Sequence, residues 1–209
     1  MAQVLEFDPI ADMPAAEAPS HRRIRAASRA LSVLFGVIFA ANCVFAAAVI
    51  PAFVVPYAGD HIMIGPQGMM LYLGPSPAHA PVVPPAGYLA VGSLSLLQRI
   101  AHLAVSPLVV LPILMIFWNL RRLFGLYGKG VVFSEANARL IKHIGVWLAA
   151  NALMPLATTN LLAAVHMQID RAWFHGDTIP KVVLGAVVYV IGMVMAVGHE
   201  IEEERGQFV

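Results

Sequence analysis

Four apolar stretches interrupt this chain, at about residues 30–55, 102–120, 144–165 and 182–198. Each approaches the roughly 20 residues that a helix needs to cross a hydrocarbon core about 30 Å thick. The fourth is the shortest and needs its flanks to span. Lipid offers no water to bond, so each segment must satisfy its own N–H and C=O groups and is expected as a helix, not a strand. Composition excludes a soluble domain with four buried helices. The 209 residues are 59% hydrophobic and 12% charged, whereas a soluble domain is about half apolar and a quarter charged. With so little charge, the surplus apolar surface must face lipid. The expected fold class is an all-α integral membrane protein, a four-transmembrane-helix bundle with an irregular outer loop between helices 1 and 2.

Lys and Arg set the orientation. Arg22, Arg23, Arg25 and Arg29 precede the first helix, and Arg121, Arg122, Lys129, Arg139 and Lys142 lie between the second and third. Residues 56–98 carry neither type, and residues 166–181 carry only Arg171 and Lys181. The positive-inside rule therefore places both termini and the 121–142 loop in the cytoplasm. Residues 1–20 contain Glu6, Asp8, Asp12 and Glu17 and no Lys or Arg. They read as a disordered acidic tail, with residues 21–209 as the membrane domain. Small residues in "AANCVFAAA" resemble a signal-peptide cleavage site, but the apolar run continues beyond the roughly 7–15 residues of a signal core, so a retained helix is expected. Cys43 is the single cysteine, which excludes an intrachain disulfide and a thiolate zinc site; it reads as a small apolar residue. A formal net charge of +1 gives no global field for direct nucleic-acid binding.

The stretch "GLYGKGVVFSE", residues 125–135, contains a Gly-Lys-Gly that looks like part of a phosphate loop. That loop needs G-x-x-x-x-G-K-[ST] after a strand. Here Gly130 follows Lys129, and an apolar helix precedes it. A turn is the better account. Gly125, Gly128 and Gly130 end the second helix, "VVF" is a short extended piece, and Ser134 caps the third helix. Glu135 and Arg139 have the i, i+4 spacing of a surface pair. Lys129 anchors the topology and faces anionic headgroups.

The longer stretch "LRRLFGLYGKGVVFSEANARLIKHIG" resembles a family of small four-pass bacterial membrane proteins, domain of unknown function 2975. Gly130, Phe133, Ser134, Asn137 and Gly145 carry the resemblance, together with the glutamate-rich "EIEEERGQFV". It extends over roughly residues 30–209 by pattern alone. The long Pro-rich outer loop and the acidic N-terminal tail depart from the pattern. The resemblance implies the bacterial inner (plasma) membrane. It also implies a small helix-turn-helix regulator as a membrane-held partner, because family members are often encoded beside one. It brings no established activity.

Several groups invite chemistry, each with a plainer reading beside it. On the third helix, Asn151, Pro155, Thr158 and His166 fall on one face, with Thr159 and Asn160 nearby. This is either a polar lining for a solute path or interhelical hydrogen bonding around a proline kink. His102 and His166 at one surface, with His143 and His199 at the other, suggest a haem cytochrome. His143 and His166 are about 34 Å apart along a helix, which leaves no room for two macrocycles inside the core. In the outer loop, His61, Met63, Met69 and Met70 are soft ligands for Cu(I), or else the apolar side of a hairpin turning at Gly65-Pro66 and Gln67-Gly68. "GPSPAHAPVVPPAG" reads as an extended connector. Gly185, Tyr189, Gly192 and Ala196 share one face of the fourth helix and suit close helix packing. Glu200, Glu202, Glu203 and Glu204 form either a solvated helix end with loose ion pairs or an acidic docking surface for a basic partner, on the same side as Arg121, Arg122 and Lys129.

No nucleophile elbow, H-E-x-x-H, paired intramembrane carboxylates or dinucleotide fingerprint is present. The expectation is a non-enzymatic regulatory or scaffolding protein without a cofactor, bound to lipid and to a cytoplasmic partner. Two alternatives remain: a small transporter or accessory subunit beside other membrane subunits, and a haem- or copper-binding membrane protein.

Overall fold

Two serines fix where helices begin. Ser95 opens one with a reciprocal cap: the Gln98 N–H donates to its hydroxyl, and its own N–H donates to the Gln98 side-chain oxygen. Ser134 opens the next by accepting from the Asn137 N–H at 3.2 Å. In the computed structural model, residues 19–54, 61–65, 68–71, 84–167, 176 and 178–206 are described. They form helices α1 (Pro19–Val54), α2 (Leu96–Gly128), α3 (Glu135–Ala163) and α4 (Thr178–Gly206). All four are long and apolar enough to cross a membrane, and the chain is a multi-pass membrane protein.

Each helix is longer than its apolar run. Hydropathy marks only the part that lipid covers, while capping decides where the helix ends. The shortest two have 29 residues, about 43 Å, so every helix projects past a core of about 30 Å. Residues 19–20, read in sequence as tail, already belong to α1, while residues 1–18 lie outside the described residues. Residues 96–101, ahead of the second apolar run, are the first turns of one continuous α2.

Several polar groups inside the spans are satisfied by their own helices. Pro107 has no N–H for the Leu103 carbonyl, and the Ser106 hydroxyl donates to that carbonyl at 3.1 Å. Asn42, Asn119 and Asn160 each donate to the carbonyl four residues back. In hydrocarbon no other partner is at hand.

The helices pack in chain order, α1 on α2, α2 on α3 and α3 on α4, with no comparable contact between α1 and α4. The α3–α4 contact is the closest. A Cβ on Gly145 would stand 2.6 Å from the Gly185 carbonyl oxygen, and one on Gly192 would stand 2.8 Å from the Lys142 nitrogen. The small face expected on α4 is thus its packing face.

Between α1 and α2 lie strands β1 (Ile62–Gly65), β2 (Gly68–Leu71) and β3 (Leu89–Ala90). They form an antiparallel sheet in the order β2-β1-β3. Gly65 pairs with Gly68, which closes the expected hairpin there; the third strand had no sequence signal. The sheet caps one end of the helices. Ile62 and Ile64 join Val49 and Phe53 of α1, Val91, Leu94, Leu162 and Met167 in one core. A second core, Leu123, Leu140, Ile141 and Ile144, lies at the other end, where the basic residues gather. Along the spans, valines such as Val37, Val187 and Val194 are exposed; on a membrane protein this is the surface that lipid covers.

Candidate functional site

The end of the molecule opposite the sheet carries most of the charged side chains among the described residues, and its geometry starts from the α2–α3 turn. Gly130 has φ +85, a left-handed conformation that glycine adopts without a Cβ penalty. Its N–H donates to the Tyr127 carbonyl at 2.9 Å, and the Val131 N–H reaches back to the Leu126 carbonyl at 3.1 Å. These two bonds make a Schellman stop for α2. Asn137, fully buried, then donates its side-chain amide to the Val131 and Val132 carbonyls, both at 2.8 Å. The backbone polar groups are turned inward and held. The side chains of Val131, Val132 and Phe133 remain exposed, Phe133 at 61%. The phosphate-loop resemblance dissolves here, since Gly130 terminates a helix instead of cradling an anion before one.

Sequence named Arg121, Arg122 and Lys129, on the same side as Glu200, Glu202, Glu203 and Glu204, as a partner surface. The structure places both sets at this end, but with α3 standing between α2 and α4. Arg121 leans away from α4. It lies against Gly36 of α1 and over the Trp118 ring, 5.4 Å from its centroid. Arg122 and Lys129 are exposed. Arg139 pairs with Glu135 at 2.6 Å in the open, as the spacing predicts.

Register sets the height of the acidic segment. Gly192 lies against Ala138 and Lys142 of the antiparallel α3, and His199 is close enough to Glu135 to act on its charge. Residues 200–206 therefore run past the start of α3 by about 10 Å, to the level of the exposed turn. Glu200 is exposed. Of Glu202, Glu203 and Glu204 only the helical backbone is among the described residues.

The other sequence candidates do not converge. Thr158 is buried and donates to the Pro155 carbonyl in its own helix at 3.0 Å; Asn151 and Thr159 are half-buried. His166 leaves the polar face altogether. Helix α3 ends at Ala163, and His166 follows with φ 56, the left-handed cap position of a second Schellman stop. A Gly is usual there, so no sequence signal marked the stop. At the sheet end, His61 is exposed whereas Met63 is fully buried. Met70 and Met69 lie opposite Met63 and Ile64 in register, with only their backbone among the described residues. His102 stacks flat on Phe53, 5.0 Å between centroids. Among the described residues no three His, Cys, Asp or Glu side chains form a metal-binding group.

Two features escaped sequence reading. Asn137 is the clamp of the turn, yet an asparagine at the third position of a helix has no such meaning by itself. The Phe39–Trp118 contact, 5.3 Å between ring centroids, pairs residues too distant in sequence for any local pattern to join. Residues 75–206 match the family described as a protein of unknown function, DUF2975. No curated protein and no solved structure matches the chain.

Proposed function

We propose that this chain, which belongs to the DUF2975 family, is a non-enzymatic regulatory or scaffolding protein of the bacterial inner membrane that holds a cytoplasmic partner. The partner class we favour is a small basic protein such as a helix-turn-helix regulator. One observation carries the reading: the acidic end of α4 projects past the start of α3, to the level of a rigid turn that exposes Val131, Val132 and Phe133. A helix C-terminus disfavours carboxylates, so a basic surface docked there relieves the charge while the apolar turn gives contact area. Opposite charge also steers encounter. The arginine distribution supports cytoplasmic termini, which puts this surface where a DNA-binding protein is found.

The test is purification from native membranes in mild detergent, followed by mass spectrometry of the proteins retained. A variant carries Glu200→Gln, Glu202→Gln, Glu203→Gln and Glu204→Gln. A small basic regulator retained by the native chain and lost from the variant supports the proposal. Retention of other membrane subunits alone overturns it in favour of an accessory-subunit role.

A further inference from the structure

The seam between α1 and α2 contains an unusual fit. Three glycines each face an arginine from the other helix. A Cβ on Gly36 would stand 3.3 Å from Arg121 Cδ, one on Gly128 would stand 2.9 Å from Arg29 Cγ, and one on Gly130 would stand 2.8 Å from Arg25 Nη2. The Arg29 stem and the outer ends of Arg121 and Arg25 thus lie in notches. Arg29 Nε donates to the Gly128 carbonyl at 3.3 Å, which leaves its terminal nitrogens for another acceptor. The Ser32 hydroxyl donates to the Arg121 carbonyl at 3.0 Å and pins the helices between the two levels. Both Arg29 and Arg121 are exposed, and among the described residues the ion pair is Arg139–Glu135, on α3.

Directly along the same seam lies an aromatic edge. Arg121 covers Trp118, Trp118 meets Phe39 at 5.3 Å, and Trp118 is itself exposed. The apolar run of α2 ends at Leu120, so Trp118 and Arg121 straddle the boundary where headgroup phosphates lie. Guanidinium forks match phosphate oxygens, and the indole and phenyl rings below offer a surface to an acyl chain. A soluble phosphate would use only the upper half of this arrangement.

We propose that the α1–α2 seam is a binding site for an anionic phospholipid, its headgroup lying between Arg29 and Arg121 and its chain laid against Trp118 and Phe39. The test reads Trp118 fluorescence in the full chain, with Trp147→Phe and Trp173→Phe removing the other indoles. The protein is reconstituted in vesicles of phosphatidylcholine and phosphatidylglycerol, with bromine quencher on one lipid or the other. Phosphatidylglycerol is expected to be preferred at Trp118, and that preference to fall by about fivefold for each of Arg29→Gln and Arg121→Gln. Arg139→Gln with Lys142→Gln removes twice that charge, from α3, and is expected to leave the preference intact. Should the seam variants fail to fold, Gly36→Leu displaces Arg121 at constant charge and is expected to lower the preference likewise. The proposal is overturned by equal quenching from both lipids, by an equal loss in the α3 control, or by full preference in a folded Gly36→Leu. Relief of quenching by soluble glycerol phosphate would overturn the lipid assignment and mark a site for free phosphate.

Discussion

The α1–α2 and α3–α4 seams both use glycine, and they use it for opposite ends. On α3–α4 every notch meets backbone: the Gly145 and Gly185 positions face each other's carbonyls, and Gly192 faces the Lys142 nitrogen and the Ala138 carbonyl as well as the Lys142 Cγ. On α1–α2 the positions are met first by side chains, arginine at Gly36, Gly128 and Gly130 and the Ser32 hydroxyl at Gly125. Backbone in a helix cannot step aside, whereas a side chain can rotate. The first seam is therefore a fixed joint that sets the height of the acidic α4 end against the turn. The second is an adjustable, charged joint open to the membrane surface. Glycine content alone says nothing of this difference; what fills the notch does.

The comparison breaks most directly at Gly145→Val. Its side chain must displace Gly185 and Tyr189 backbone, and a loss of about 3 kcal/mol is expected, read from unfolding in mixed detergent micelles. Gly36→Val, meeting only Arg121, should cost clearly less; equal losses would mean the two joints are alike. Next is Asn137→Ala, which leaves the Val131 and Val132 carbonyls without their donor. About 2 kcal/mol is expected, along with faster hydrogen exchange in residues 131–134 and unchanged exchange in α1. A smaller effect belongs to Gly128→Ala, because the atom it meets is the mid-chain Cγ of Arg29. A cost of about 1 kcal/mol is expected, and a loss matching that of Gly145→Val would refute the adjustable joint. Thr158→Val should change stability by less than about 1 kcal/mol, since the hydroxyl bonds only within its own helix; a transport defect from that substitution would revive the solute-path reading. Glu135→Gln breaks an ion pair exposed on both sides and is expected to leave the unfolding midpoint where it was.

Much of the candidate surface was legible because its cues are local. Ser134 before Glu135 announces a helix start, the i, i+4 spacing announces the Arg139 pair, and Gly130 announces a stop. Asn137 was not legible: its value depends on two carbonyls five and six residues back being turned inward by the preceding stop. Nor was His166, where a non-glycine residue takes the left-handed position and ends α3 at Ala163, before its apolar run is over. The sheet shows the same division. Gly65 and Gly68 foretell the hairpin, but β3 forms only because Leu89 and Ala90 return across residues that carry no strand pattern.

By itself the sequence determined that this chain lives in a membrane, how many helices cross it and where the cationic residues fall along them. Those properties follow from transfer energies and hydrogen-bond satisfaction, which are nearly sums over local residues. Only the tertiary structure decided that the helices pack in chain order, that arginines lie in glycine notches of one seam while the glycines of the other meet backbone, and that the acidic end of α4 runs past the start of α3. In lipid the apolar faces are almost interchangeable, so shape complementarity, a property of two surfaces together, chooses the neighbours.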